Sequence, residues 1–133
     1  MTPYKIKIIT PEKTFYEGET EQITVRTSAG NVGILAGHTP YVANIMLSPL
    51  RIKIDGEFRT AAISGGLLTV SKSEVTIVTN AIEWAEEIDV LRAQRAKEKA
   101  DKMLKQQLSQ KEFDKAERNL KRALNRLVVA GKK

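Results

Sequence analysis

The character of the chain changes once, after Trp84. From Glu86 onward there is no proline, and glycine returns only at Gly131. Ala, Leu, Glu, Lys, Gln and Arg dominate that stretch, all of them strong helix formers. Before Trp84 the pattern is the reverse: short runs of alternating apolar and polar residues, cut by glycine and proline. A helix period and a strand period do not share one element. The chain therefore divides into a β part, residues 1–85, and a helical part, residues 86–133.

The β part reads as several short strands. Tyr4 to Thr10 sets Ile6 and Ile8 on one face and Lys5 and Lys7 on the other, and Pro11 ends it. Phe15-Tyr16 and Ile23 to Thr27 follow, separated by Gly18 and acidic residues. Leu50 to Ile54 alternates strictly, Asp55-Gly56 supplies a tight primed turn, and Glu57 to Ala62 returns. Gly65-Gly66 is expected to break the next stretch. Leu67 to Val70 and Val75 to Val78 flank a Ser-Lys-Ser turn. Many short strands at this spacing predict an antiparallel sandwich or barrel.

The helical part carries two apolar rows. Ala93, Ala96, Ala100 and Met103 are spaced three and four apart, as are Phe113, Ala116, Leu120, Ala123 and Leu127. Ser109 and Gln110 interrupt the run, and Asp114 suits a first turn. The spacing predicts two helices, about 88–107 and 111–129, and a short connection makes them antiparallel. An alanine seam buries less apolar area than a leucine seam, at roughly 25 cal/mol per Å². The hairpin is thus expected to be marginal alone, and marginal elements are those drawn into switches.

Charge separates the two parts further. Residues 1–85 hold 8 Lys+Arg against 8 Asp+Glu; residues 86–133 hold 14 against 8, which is the whole net charge of +6. The apolar fraction, 41%, is enough for a core. There is no cysteine, so disulfides and thiolate metal sites are excluded. No apolar run is long enough for a membrane-spanning helix, and Met1 to Lys7 has no continuous apolar stretch of the signal-peptide kind. The expectation is a cytoplasmic protein that meets a membrane only through a partner.

Nothing in the chain reads as catalytic. His38, the sole histidine, sits in Gly37-His38-Thr39-Pro40 with no nucleophile or acid placed by motif, and is expected to be a turn residue hydrogen-bonding locally. Neither phosphate-loop nor dinucleotide fingerprint occurs, and Gly30-Asn31-Val32-Gly33 reads as turn or bulge. The basic hairpin has three readings: a solvated charged face, a nucleic-acid surface, or a surface for acidic protein or an anionic ligand. Interleaved acids and a lack of stacking aromatics weigh against nucleic acid. Arg122 and Arg126 share a helix face, and an antiparallel hairpin brings the start of its first helix, with Arg92, beside the end of its second. The three arginines are then a phosphate clamp, or Asp89 pairs with Arg92 instead.

Two stretches carry a resemblance. Gly30 to Pro40 (Gly-Asn-Val-Gly-Ile-Leu-Ala-Gly-His-Thr-Pro), continued in Ile63 to Val70, and Ala85 to Ala93 at the junction resemble the epsilon subunit of bacterial F-type ATP synthase. The resemblance covers the whole chain. It implies a flattened ten-stranded β-sandwich, followed by an antiparallel two-helix hairpin. It implies a non-catalytic subunit that binds the gamma subunit of the central stalk and the c-subunit ring at the cytoplasmic face of the membrane. The hairpin of this family folds down on the sandwich or extends along gamma, meets acidic C-terminal segments of the catalytic subunits, and in the extended form inhibits ATP hydrolysis. Ile88-Asp89-Val90-Leu91-Arg92-Ala93 is similar to the family's I/L-D-x-x-R-A motif. By that resemblance Glu83, Ile88, Asp89, Arg92, Ala93, Arg122 and Arg126 are contacts for ATP as a regulatory ligand, with or without Mg²⁺. No cofactor is required and no nucleic-acid partner is implied.

Overall fold

A computed structural model describes residues 2–131. Residues up to Trp84 form one compact unit and those from Ala85 a second. The first unit holds eight strands: β1 (Tyr4–Ile9), β2 (Thr14–Thr20), β3 (Ile23–Thr27), β4 (Gly30–Ile34), β5 (Tyr41–Ile54), β6 (Glu57–Val70), β7 (Glu74–Val78) and β8 (Ile82–Trp84). Their order is β2-β1-β7-β6-β5-β3-β4, with β8 beside β6.

β5 and β6 are the spine of this unit. They are 14 residues each and pair antiparallel from Tyr41↔Val70 to Ile54↔Glu57. Asp55 (φ 52°) and Gly56 (φ 82°) make the turn between them, and the Gly56 N–H donates to Glu21 Oε1 at 3.1 Å. Each strand changes face midway. In β6 the residues of the hydrophobic core are Ala61 and Ile63, then Leu68 and Val70; in β5 they are Ile45, then Leu50 and Ile52. Odd numbers point inward before the change in each strand and even numbers after it, so each strand serves two faces of the sandwich. Eight continuous strands thus stand where the resemblance implies ten, because these two turn the corner unbroken.

Gly65-Gly66 is the corner of β6, and the expected break there is a bend inside a continuous strand. Before it β6 pairs with β8 (Ala61↔Trp84 to Ile63↔Ile82); after it, with β7 (Leu67↔Val78 to Val70↔Val75). A Cβ on Gly66 would lie 2.3 Å from the Val78 carbonyl oxygen, so no side chain fits. On β5, Pro49 falls between Ile45 and Arg51, in the stretch where β3 does not pair, so its missing N–H breaks no bond on that side.

Two other expectations change. Gly30 to Gly33 is not a turn: with Ile34 it forms β4, an edge strand paired to β3 from Thr27↔Gly30 to Ile23↔Ile34. One pair departs from antiparallel: β1 runs parallel to β7 (Lys5↔Glu74 to Ile9↔Val78) and links β2 to the rest. The core enclosed by these strands is a continuous cluster of Ile, Leu and Val, including Ile6, Ile8, Ile23, Leu50, Ile63, Leu68 and Ile77. Tyr4 joins it and donates its hydroxyl to the Ile34 carbonyl at 2.6 Å. Burial pushes that hydroxyl up to about 12.

The second unit opens with a 3₁₀ turn (Ala85–Glu87) and holds α1 (Val90–Leu104) and α2 (Gln110–Val129). The helices pack on each other through Ala93, Ala100, Ala116, Ala123 and Leu127, all buried. Ser109 caps α2: its hydroxyl accepts the Glu112 N–H at 3.2 Å, and the Glu112 carboxylate reaches back to the Ser109 N–H, closing a capping box.

Candidate functional site

The junction motif has a local structural meaning. Asp89 is the N-cap of α1, and its carboxylate accepts the backbone N–H of Arg92 at 3.0 Å. The expected Asp89–Arg92 pairing is therefore made with the Arg92 main chain, while the guanidinium side chain is exposed. Ile88 and Ala93 are both buried and occupy the positions just before the cap and at the fourth helical residue. These are the positions of a hydrophobic staple, which fixes the angle at which the chain enters the helix. The cap engages the Asp89 carboxylate with the backbone, while both Asp89 and the Arg92 side chain in the first turn are exposed.

Arg122 and Arg126 lie on one side of α2, one turn apart; Arg122 is exposed and Arg126 half-buried. With Ile88, Asp89, Arg92 and Ala93 they belong to the helical unit. Glu83 belongs to the sandwich, on β8 opposite Ala62.

The helical cations fall into rows. Arg92, Arg95, Lys99 and Lys102 are spaced 3, 4 and 3 on α1; Lys111, Lys115, Arg118 and Arg122 are spaced 4, 3 and 4 on α2. All eight are exposed, and none forms an ion pair within 4 Å among the described residues. Glu98 and Asp114 stand three and four residues from cations of these rows (Arg95 and Lys102, Lys111 and Arg118), yet neither forms an ion pair with them within 4 Å among the described residues. Leu91, Leu124 and Val128 are also exposed, so the unit carries apolar surface beyond its own seam.

On the sandwich, the outer face of β5, β6 and β7 is apolar. Val42, Met46, Leu67 and Val78 are between 42 and 65% exposed. Leu67 is paired directly with Val78 and with Asn44, between Val42 and Met46, so the four form one patch. A groove of about 570 Å³ adjoins it, lined by Ser28, Val32, Val42 and Leu67 among others. Val42-Ala43-Asn44-Ile45-Met46 has no alternation of polarity to signal this patch; the strand's burial pattern, with Ile45 in and its neighbours out, reveals it. A patch of exposed side chains this large marks an interaction surface.

His38 departs from expectation. Its ring packs edge-on against Tyr4, with centroids 5.3 Å apart, and both ring nitrogens are buried with no hydrogen-bond partner among the described residues. The imidazole lies against an aromatic wall, out of reach of the local backbone. Among the described residues, no group of three or more His, Asp or Glu is placed to hold a metal.

Comparison with known proteins joins these features. Residues 3–85 match the beta-sandwich domain of the ATP synthase Delta/Epsilon chain, and residues 86–131 match its long alpha-helix domain. The chain is 55% identical to the ATP synthase epsilon chain of Ruminococcus albus, with all of both chains covered. It is 45% identical to that of Caldicellulosiruptor bescii, over 98% of this chain and 95% of the other. Among solved structures it superposes on a chain of the Euglena gracilis mitochondrial ATP synthase (OSCP/F1/c-ring) with a TM-score of 0.80 and 25% identity, covering 91% of this chain and 77% of that one. It shares its fold with a chain of the central stalk and c-ring of the Tetrahymena thermophila enzyme, with a TM-score of 0.67, 15% identity and 95% of each chain covered. Matched in both its sandwich and its hairpin and along its whole length, this chain belongs to the epsilon chains of ATP synthase, a non-catalytic subunit of that complex.

Proposed function

We propose that this epsilon chain works in the central stalk of a proton-translocating ATP synthase, as a link between the catalytic head and the membrane rotor and as a restraint on ATP hydrolysis. The sandwich is its fixed part. Its apolar outer face, Val42, Met46, Leu67 and Val78, supports docking on the gamma subunit, because water gains when such a patch is covered. Loops of the same unit reach the c-subunit ring. No helix among the described residues is long and apolar enough to cross a membrane, so partners hold the chain peripherally, at the cytoplasmic face.

The hairpin is the moving part. The observation that carries this reading is its two exposed rows of unpaired cations on a mostly alanine seam. A marginal element with surplus positive charge and exposed Leu91, Leu124 and Val128 gains stability only by binding something. In an extended state the rows meet acidic C-terminal segments of the catalytic subunits. In a folded state Arg92, Arg122 and Arg126 hold the phosphates of ATP, with or without Mg²⁺, while Glu83, Ile88, Asp89 and Ala93 line the rest of the nucleotide. ATP then acts as a regulator, shifting the hairpin toward the folded state by no more than its preference for that state.

The test is hydrolysis by the assembled complex, with the full chain and with a chain ending at residue 85. Faster hydrolysis with the short chain, reversed by the full one, is the expected result; equal rates overturn the restraint. Calorimetry of the full chain with ATP examines the regulatory site separately. Arg92→Ala and Arg126→Ala are each expected to weaken binding, and no binding at millimolar ATP rejects the nucleotide site while leaving the restraint standing.

A further inference from the structure

We infer that a second charged surface, on the outer face of the sandwich around Phe58, receives an extended acidic segment of a partner protein. Arg51 and Lys53 alternate outward along the second half of β5, while Leu50 and Ile52 between them are fully buried. Phe58 stands on β6 directly opposite Lys53. The Arg51 guanidinium carbon lies 4.4 Å from the Phe58 ring centroid and the Lys53 ammonium 5.8 Å from it. Arg26 points outward from the neighbouring β3, where its Nε donates to Asn31 Oδ1 at 3.3 Å.

None of these three cations forms an ion pair within 4 Å among the described residues. Glu19, Glu21 and Asp55 line a groove with Lys53 but lie beyond ion-pair distance of it. Glu21 accepts the Gly56 N–H, Asp55 forms the turn, and Glu83 lies opposite Ala62, four residues along β6 from Phe58. Two cations over one ring repel each other, and the negative face of the ring offsets part of that repulsion. An anion between them removes the repulsion.

The chemistry of the anion follows from the geometry. A guanidinium held over an aromatic ring keeps N–H groups free for a two-oxygen acceptor. Arg51 and Lys53 are two residues apart on a strand, hence about 6.8 Å apart. Same-face residues of a second extended chain have that repeat. A segment of the form acid-x-acid therefore sets one carboxylate on each cation, with Arg26 available to a third. The surface belongs to the sandwich unit and the cation rows to the helical unit, and its role does not depend on whether the hairpin restrains hydrolysis.

The experiment is an NMR titration of the full chain with a ten-residue peptide of alternating Glu and Thr. Amide shifts are expected at Arg26, at Arg51 to Ile54 and at Phe58. Arg51→Ala with Lys53→Ala is expected to weaken the peptide at this site roughly fivefold, two exposed ion pairs' worth. Phe58→Leu keeps both cations but loses the stacking, and weakens it less. If the alanine pair does not fold, the glutamine pair carries the same readout. Shifts confined to residues 90–129, or unchanged affinity in the double variant, overturn the inference. So does a stronger response of these amides to inorganic pyrophosphate or to phosphatidylglycerol vesicles, which would assign the surface to phosphate.

Discussion

The two units reach stability by different means. The sandwich buries Ile6, Ile8, Ile23, Leu50, Ile52, Ile63, Leu68 and Ile77 at 1% exposure or less, in one cluster tied by strand pairing across the chain. The hairpin's fully buried seam is Ala93, Ala100, Ala116 and Ala123, with Leu127 the one large side chain among them. Each Leu or Ile removed from water contributes about 1.5–3 kcal/mol, and each Ala far less. One unit therefore holds its shape unaided, while the other holds it conditionally. Under the function proposed above, the first unit would do the docking and the second the responding.

The sharpest way to break this comparison is to separate the units. Residues 1–84 alone are expected to keep their β structure by circular dichroism and to melt cooperatively. Residues 85–133 alone are expected to lose most of their helix, since isolated helices of 15 and 20 residues with so thin a seam are marginal. A stable isolated hairpin would refute the contrast. Next in size is Ile63→Ala in the full chain, at a fully buried position of the corner strand. It should cost about 2–5 kcal/mol in denaturant unfolding. Ser109→Ala, which removes the capping box, should cost about 1 kcal/mol, visible as faster hydrogen exchange in α2 with β7 unchanged.

The smallest effect comes from Tyr4. Its hydroxyl ionises at about 12 when folded, against 10.0 ordinarily. The folded state thus holds this proton more tightly than the unfolded chain. The stability it contributes is fully present below pH 10.0 and is lost as pH rises through about 12. Tyr4→Phe should flatten that alkaline decline, and the absorbance of tyrosinate should show one residue titrating late in the wild type.

Much of this was legible in the sequence where period and composition agree. The division near Trp84, the Asp55-Gly56 hairpin and both helical rows follow from local rules that tertiary structure had no reason to override. What escaped depends on distant partners. Gly65-Gly66 looks like a stop because glycine weakens strands, yet here Gly66 admits the Val78 carbonyl, a group twelve residues away. Gly30 to Gly33 looks like a turn, and pairing with β3 makes it an edge strand. Of the proposed nucleotide contacts, Asp89 was readable as a residue and not as a cap, because its role as a cap depends on where α1 starts. The stacked cations on Phe58 were invisible, since they need the register of β5 against β6. The orphaned nitrogens of His38 likewise depend on how residues 35–40 lay the ring on Tyr4.

The parallel pairing of β1 with β7 has a consequence for how the protein is made. Lys5 meets Glu74 across about 70 residues of intervening chain. Contacts of such separation slow folding, because a long loop must be closed before they reward it. On the ribosome β1 and β2 emerge first and can form their hairpin, but Ile6 and Ile8 wait for Val75 and Ile77 before their inner face is covered. The nascent chain thus carries an unsatisfied apolar strand until most of the sandwich has been synthesised, which is the interval in which a chaperone or the assembling stalk has reason to meet it.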